Sequence, residues 1–428
     1  MHSTTTRDEP PDGGWQAWSV VFGSWCCNFI ISGWLNALGV FQDYYSTDLF
    51  PNLPTSTIAI IPSLVDFLIF AGGPIFGLIY DKYGPRWLLS IGGTLHVLGI
   101  LAASVSGEHF YALVLSQGVC SAIGASMMLY PAISTVSTWF SKRRALALGL
   151  TSTGGSLGGI AFPIMFQSLV PMIGFGWTMR ACAMLIFGLA VVANLTVFSR
   201  IPPKPTTFEF KQYLKPFKNK AFQLLSLSML AYLGLFLPLT YIIVQAQREG
   251  VPEYLAEKLV VIINASSMIG RIFPSWAADY VGRYNMAIIF SFLSSTVVWA
   301  FWIPLHNSDA GIIVFAVLYG IFSGAVIALT PALVAQIADV HEIGVWTGTL
   351  YGILGLITAT STLSAGAIVD DQDGNFLGLK IFCGASIALG FAFLVCARIS
   401  LKGWRPKIKG LSVSKLQASH EDTHILTA

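Results

Sequence analysis

Gly77-Leu78-Ile79-Tyr80-Asp81-Lys82-Tyr83-Gly84-Pro85-Arg86 decides the fold, because a shortened copy returns as Ser275-Trp276-Ala277-Ala278-Asp279-Tyr280-Val281-Gly282-Arg283, with Asp81 and Asp279 standing 198 residues apart. Each copy ends one apolar run, turns on a glycine and starts the next apolar run on an arginine. A short loop between two membrane helices reads this way. Two further landmarks repeat at nearly the same offset: Pro131 and Pro331 are 200 residues apart, and Gly149 and Gly348 are 199 apart. A recurring offset is the mark of an internal repeat.

Composition sets the solvent. Of 428 residues, 11% are charged and 54% apolar, against about 25% charged in a soluble domain. Soluble enzymes, nucleic-acid binders and disordered scaffolds are excluded on that ground. A net charge of +3 offers little to an anionic polymer. Residues 1–16 are polar and slightly acidic rather than a basic leader, so the first apolar segment is expected to stay as a spanning helix. The six cysteines lie inside apolar runs and have no metal-site spacing; no metal and no cofactor are expected.

A hydrocarbon layer of about 30 Å needs roughly 20 helical residues. Twelve stretches qualify: 18–42, 57–79, 87–106, 110–138, 145–169, 177–199, 222–246, 256–278, 285–305, 310–337, 344–368 and 378–400. The expected architecture is an all-α membrane protein of 12 transmembrane helices in two six-helix halves. Residues 17–199 and 222–400 form the bundles, 200–221 the linker, 1–16 the amino-terminal segment and 401–428 the tail. Lys82, Arg86, Lys142, Arg143, Arg144, Arg283, the linker lysines and the start of the tail share one set of connections. The other set carries mainly Asp and Glu, with Arg248 the exception. The basic set, with both termini, is expected to be cytoplasmic. Six is even, so both halves run in the same sense, and a parallel repeat of this kind encloses a cavity near the midplane.

The architecture resembles the major facilitator superfamily, and Gly77–Arg86 resembles its loop signature. Asp12-Gly13-Gly14-Trp15-Gln16-Ala17-Trp18 is similar to the amino-terminal motif of the monocarboxylate transporter family, also called the monocarboxylate porters. Trp139-Phe140-Ser141-Lys142-Arg143-Arg144-Ala145-Leu146-Ala147-Leu148-Gly149 is similar to that family's second motif. The short linker and the run from Asn264 to Arg271 look most like the fungal branch. The resemblance implies transport by alternating access. It implies that Asp81, Gly84, Arg86 and Arg143, with Asp279 and Arg283 of the second copy, hold the cytoplasmic side closed while the outer side is open. The second copy lacks the first glycine and one residue before its arginine, so its latch is expected to be the weaker.

Ionisable groups at membrane depth are costly and usually face a cavity. Arg271 lies eight residues before Asp279, about 12 Å from the helix end at 1.5 Å per residue. Its guanidinium can clamp a carboxylate with two bonds. It also matches the family arginine implicated in holding an anionic substrate. The alternative reading is a structural arginine paired to a buried acid. The lactate-type members carry a lysine where this chain has Asn36 and an aspartate where it has Ser267. Asn36, Asn264, Ser267 and Tyr130 with Arg271 therefore suggest a larger, partly apolar cargo. Asp66, whose repeat equivalent is Asn264, is either the group that carries a coupling proton or a hydrogen-bonded structural acid.

Glycine pairs at Gly154/Gly158 and Gly155/Gly159, and the row Gly344, Gly348, Gly352, suit close helix contact. They lack a preceding strand and a Gly-Lys-Ser/Thr ending, so nucleotide binding is rejected. No paired catalytic carboxylates, His cluster or activated nucleophile lies at membrane depth, so no enzyme is expected. The expected function is secondary active or facilitative transport of a small organic molecule, a carboxylate or related metabolite, with protons as the candidate coupling ion. The expected location is the plasma membrane, and the partners are the cargo, protons and the lipid bilayer. The alternatives are export of a fungal secondary metabolite and a non-transporting nutrient sensor on the same fold. The sequence carries no oligomer signal.

Overall fold

The computed structural model describes residues 10–107, 109–202, 211–304, 308–372 and 375–402. Most of the expected amino-terminal segment, much of the linker and almost all of the tail lie outside the described residues. Every regular element within them is helical. Hydrocarbon contains no water to satisfy backbone amides and carbonyls, and a helix satisfies them within its own segment.

Eleven stretches are long and apolar enough to cross a membrane. One of them, Arg144–Thr196, is 53 residues long and is divided at Gly174, which adopts φ 77°. Only glycine takes that conformation without strain, and the chain reverses there into a second pass. The helices are numbered accordingly: α1 Trp15–Leu49, α2 Ser56–Tyr83, α3 Pro85–Ala103 and α4 Phe110–Trp139; α5 144–173 and α6 175–196. The second half holds α7 Lys220–Arg248, α8 Tyr254–Val281, α9 Arg283–Trp302, α10 Asp309–Ile337, α11 Ile343–Val369 and α12 Leu377–Leu401. Several run beyond the expected apolar cores. α1 continues through a π-helical turn at Tyr45–Leu49.

Two helices are broken by proline, and the breaks shape the interior. In α2, Pro74 removes one backbone donor and crowds the carbonyl of Phe70. That carbonyl accepts from the Tyr130 hydroxyl at 2.9 Å, and Ile69 O accepts from Ser126 Oγ at 2.8 Å. In α7, Pro238 does the same to Gly234. Gly234 O accepts from the Cys383 thiol at 3.1 Å, Leu235 O from Tyr319 at 2.9 Å and Leu233 O from Ser361 at 2.6 Å. Side chains of α10, α11 and α12 thus stand in for the missing backbone bonds.

The halves meet along two seams. In the α2–α11 seam, Gly73 and Gly77 face Gly348 and Gly344. A Cβ on Gly77 would stand 2.7 Å from the carbonyl carbon of Gly344, and one on Gly348 would stand 2.6 Å from that of Gly73. In the other seam α5 lies along α8, with Gly149, Gly155 and Gly159 facing Ser275, Arg271 and Asn264.

Gly348→Val therefore forces the first seam apart. Overpacking of this kind costs about 1–3 kcal/mol, so the melting temperature of the purified chain should fall by several degrees. Gly39→Ala, with no atom within 4 Å of the added methyl, should leave it unchanged. Equal melting of the two variants would refute the close approach.

Candidate functional site

A cavity lies between the halves. Asn28, Ser32, Asn36, Thr151 and Ser152 line it from the first half, and Tyr232, Asn264, Ser267, Arg271, Ser323 and Tyr351 from the second. Ile31, Leu35, Phe70, Leu129, Phe236, Leu239 and Leu354 supply an apolar remainder. Among the described lining residues, Arg271 is the only charged side chain.

Four expected binding residues meet in this cavity. Arg271 is 7% exposed, and its Nε has no hydrogen-bond partner. One terminal nitrogen donates to the carbonyl oxygen of Ser152 on α5. Asn36 Nδ2 lies 3.4 Å from Asn264 Oδ1 and 3.4 Å from Gly155 O. Ser267 and Ser156 share a hydroxyl bond of 2.7 Å. No acid sits beside Arg271 among the lining residues, so the alternative of an arginine paired to a buried acid finds no partner there. A half-satisfied guanidinium in an apolar surround is a strong receptor for an anionic oxygen.

Tyr130 is corrected. It is fully buried behind the cavity wall, with its hydroxyl on Ile69 O and Phe70 O at 3.0 and 2.9 Å. It repairs the Pro74 break and packs edge-on against Tyr351, which does line the cavity. Asp66 is half-buried on α2, is absent from the cavity lining, and makes no hydrogen bond or ion pair with a described residue. The repeat offset pairs the two positions, yet Asn264 lines the cavity and Asp66 does not.

The loop acids do what a carboxylate does at a helix amino terminus. Asp81 accepts from Gly344 N at 2.8 Å and Val345 N at 2.7 Å, closing the start of α11. Asp279 accepts from Ala145 N at 3.0 Å and Leu146 N at 2.9 Å, closing the start of α5. Each half thus caps a helix of the other half. The second copy carries an ion pair that the first does not show among the described residues. Losing one residue sets Arg283 four positions from Asp279, and the two pair at 3.2 Å. Arg283 also reaches Ser141 O at 2.5 Å. Arg86, five positions from Asp81, is exposed and joins no ion pair among the described residues. Gly84, at φ 78°, makes the turn between them. Arg143 is exposed, with its backbone amide 3.3 Å from Asp12 Oδ1. Its neighbour Arg144 spans the halves instead, with Nη1 on Ala335 O of α10 at 2.5 Å.

Two contacts had no clear signal in the sequence. Asp12 Oδ1 accepts from the amides of Ser141 and Lys142 at 2.6 and 2.7 Å, so the amino-terminal motif clasps the second motif. At the opposite end of the second half, Lys380 is 3% exposed and pairs with Glu249 at 3.2 Å. Gln245 joins Glu249 to the Trp302 indole there. Their separation in sequence, 131 residues between Glu249 and Lys380, hides the pair.

The comparisons agree with this geometry. The family model described as Major Facilitator Superfamily matches residues 16–348. The chain is 47% identical over 394 residues to an "MFS-type transporter 1" of Ophiocordyceps sp. (strain BCC 1869), covering 92% of this chain and 87% of that one. It is 39% identical over 394 residues to a "Fujikurins efflux protein" of Gibberella fujikuroi, covering 91% and 84%. The crystal structure of the human organic anion transporter MFSD10 superimposes with a TM-score of 0.71 at 16% identity, covering 90% of this chain and 100% of that one. With twelve membrane passes in two halves around a central cavity, and a matching family model over most of its length, this chain belongs to the Major Facilitator Superfamily.

Proposed function

We propose that this protein exports an amphipathic, acidic secondary metabolite from a fungal cell by alternating access. The observation that carries this reading is Arg271: a lone, half-satisfied cation in a cavity otherwise made of amides, hydroxyls and apolar side chains. An anionic oxygen on the cargo would take the guanidinium, and an apolar body would fill the Ile31, Leu35, Phe236 and Leu239 surround. The efflux protein at 39% identity supports export. A small monocarboxylate is disfavoured, because Asn36 and Ser267 replace the charges that the lactate-type pattern uses. The Asp12 clasp between the two motifs supports a place near the monocarboxylate porters.

In this reading residues 17–199 and 222–400 are the two moving bodies. The basic end and both termini face the cytoplasm, and the membrane is the plasma membrane. Both carboxylate latches are made at that end, so the carrier is shut to the cytoplasm. Protons are the proposed coupling ion and Asp66 their carrier, since no hydrogen bond from a described residue fixes its charge state. Export then exchanges outgoing cargo for incoming protons, in place of the symport that suits uptake.

Untargeted profiling of a deletion strain should show an acidic metabolite accumulating in cells and falling in the medium. Arg271→Ala should reproduce this with normal membrane abundance and at least about tenfold lower secretion, as loss of a charged hydrogen bond entails. Unchanged secretion, or accumulation of a neutral or basic compound, would refute the reading. Asp66→Asn should still exchange cargo across vesicle membranes but lose acceleration by an acid-outside gradient. Equal acceleration in the variant and its parent would remove Asp66 from coupling.

A further inference from the structure

α6 carries a single charged residue, Arg180. It stands on the stripe Trp177, Arg180, Met184, Phe187, Val191 and Leu195, whose steps of three or four residues share one helix face. The apolar members of that stripe are 40–77% exposed, so this face meets lipid. Arg180 itself is half-buried and absent from the lining of the central cavity. An ionisable side chain on a lipid-facing stripe is costly unless something answers its charge.

The internal repeat supplies a comparison. Arg180 and Lys380 are 200 residues apart, the offset of Pro131 and Pro331. Each sits near the start of the last helix of its half, over a tryptophan ring. Arg180 Cζ is 4.6 Å from the Trp177 centroid, and Lys380 Nζ is 5.9 Å from that of Trp302. There the likeness ends. Lys380 turns inward, 3% exposed, and pairs with Glu249 at 3.2 Å. Arg180 turns outward. Its Nε donates to Ser104 Oγ, just past the end of α3, at 3.3 Å, and no acid pairs with it among the described residues. Stacking on Trp177 occupies the flat face of the guanidinium. Its donors lie in the plane, and only the one on Nε is committed.

Helical side chains lean toward the amino terminus of their helix. α6 begins at the Gly174 turn, the end away from the Asp81 and Asp279 loops, and Arg180 leans that way over Trp177. Five residues into the helix, it lies about 8 Å from the start at 1.5 Å per residue. At that depth an arginine snorkels to the headgroups, and tryptophan marks the interface. The anion that a bilayer presents there is lipid phosphate, which a guanidinium edge can hold with two bonds. We propose that the corner of α3 and α6 formed by Arg180, Trp177 and Ser104 binds the phosphate of a phospholipid in the leaflet away from the basic loops. The lipid supplies to Arg180 the counter-charge that Glu249 supplies to Lys380 in the second half. This site is separate from the cavity and does not depend on the cargo.

Native mass spectrometry of the full chain in detergent, titrated with phosphatidylglycerol, reads the site as the affinity of the first bound lipid. Arg180→Ala should weaken that step at least about tenfold, as loss of a charged hydrogen bond entails. Arg180→Gln keeps the stem over Trp177 but not the charge, and should weaken it in the same way. Parent-like affinity in either variant overturns the proposal. Ser104→Ala removes the internal acceptor and leaves the guanidinium, so it should bind phosphatidylglycerol like the parent. A loss as large as that of Arg180→Ala would assign the effect to α3–α6 packing and overturn the site. Diacylglycerol with the same chains lacks the phosphate, and the parent and Arg180→Ala should bind it alike. Discrimination as strong as with phosphatidylglycerol overturns phosphate recognition. Inorganic phosphate at equal concentration should leave the lipid in place; displacement would make this a site for free anions instead.

Discussion

Backbone groups that a helix cannot satisfy within itself have no water to turn to in hydrocarbon, and several inter-helix contacts among the described residues answer that constraint. The carbonyls exposed by Pro74 are taken by Tyr130 and Ser126. Those exposed by the α7 break are taken by Cys383, Tyr319 and Ser361. The open amides at the starts of α5 and α11 are taken by Asp279 and Asp81. Because the last two acceptors come from the opposite half, satisfying a helix end and joining the halves become one event.

This gives the inter-half caps a physical character different from a surface ion pair. A pair such as Lys215 with Glu342, with the lysine side chain 57% exposed, is worth little in water. A carboxylate that accepts two backbone amides at the end of a long helix is held by the helix dipole and by the lack of any substitute acceptor. Separation of the halves at this end must expose four amides and two carboxylates together. Water can replace these bonds only if the end hydrates.

The seams divide the work. Glycine backbones in contact give α2 and α11 a short separation, as small residues do between membrane helices, and Asp81 caps α11 at one end of that seam. The polar seam brings Asn36, Asn264, Ser156, Ser267 and Arg271 together at the cavity. One fold, duplicated, thus places close backbone packing in one seam and the polar cavity residues in the other.

Apolar run lengths, the repeated Asp-Gly-Arg loops and the alternation of basic connections were sufficient by themselves to establish twelve helices in two like-oriented halves, since helix length in lipid and internal periodicity are local properties. Arg271, Asn36, Asn264 and Ser267 were legible as a group because isolated polar residues stand out in apolar helices. The sequence could not tell that Tyr130 mends a broken helix, that Arg86 stays exposed while Arg283 pairs with Asp279, or that Arg144 rather than Arg143 crosses between the halves. Those outcomes depend on the rotation of each helix about its axis and on which carbonyls a proline leaves open. Only packing of one half against the other decides them, because the partners lie as far as 191 residues apart in the case of Arg144 and Ala335 and no local pattern links them.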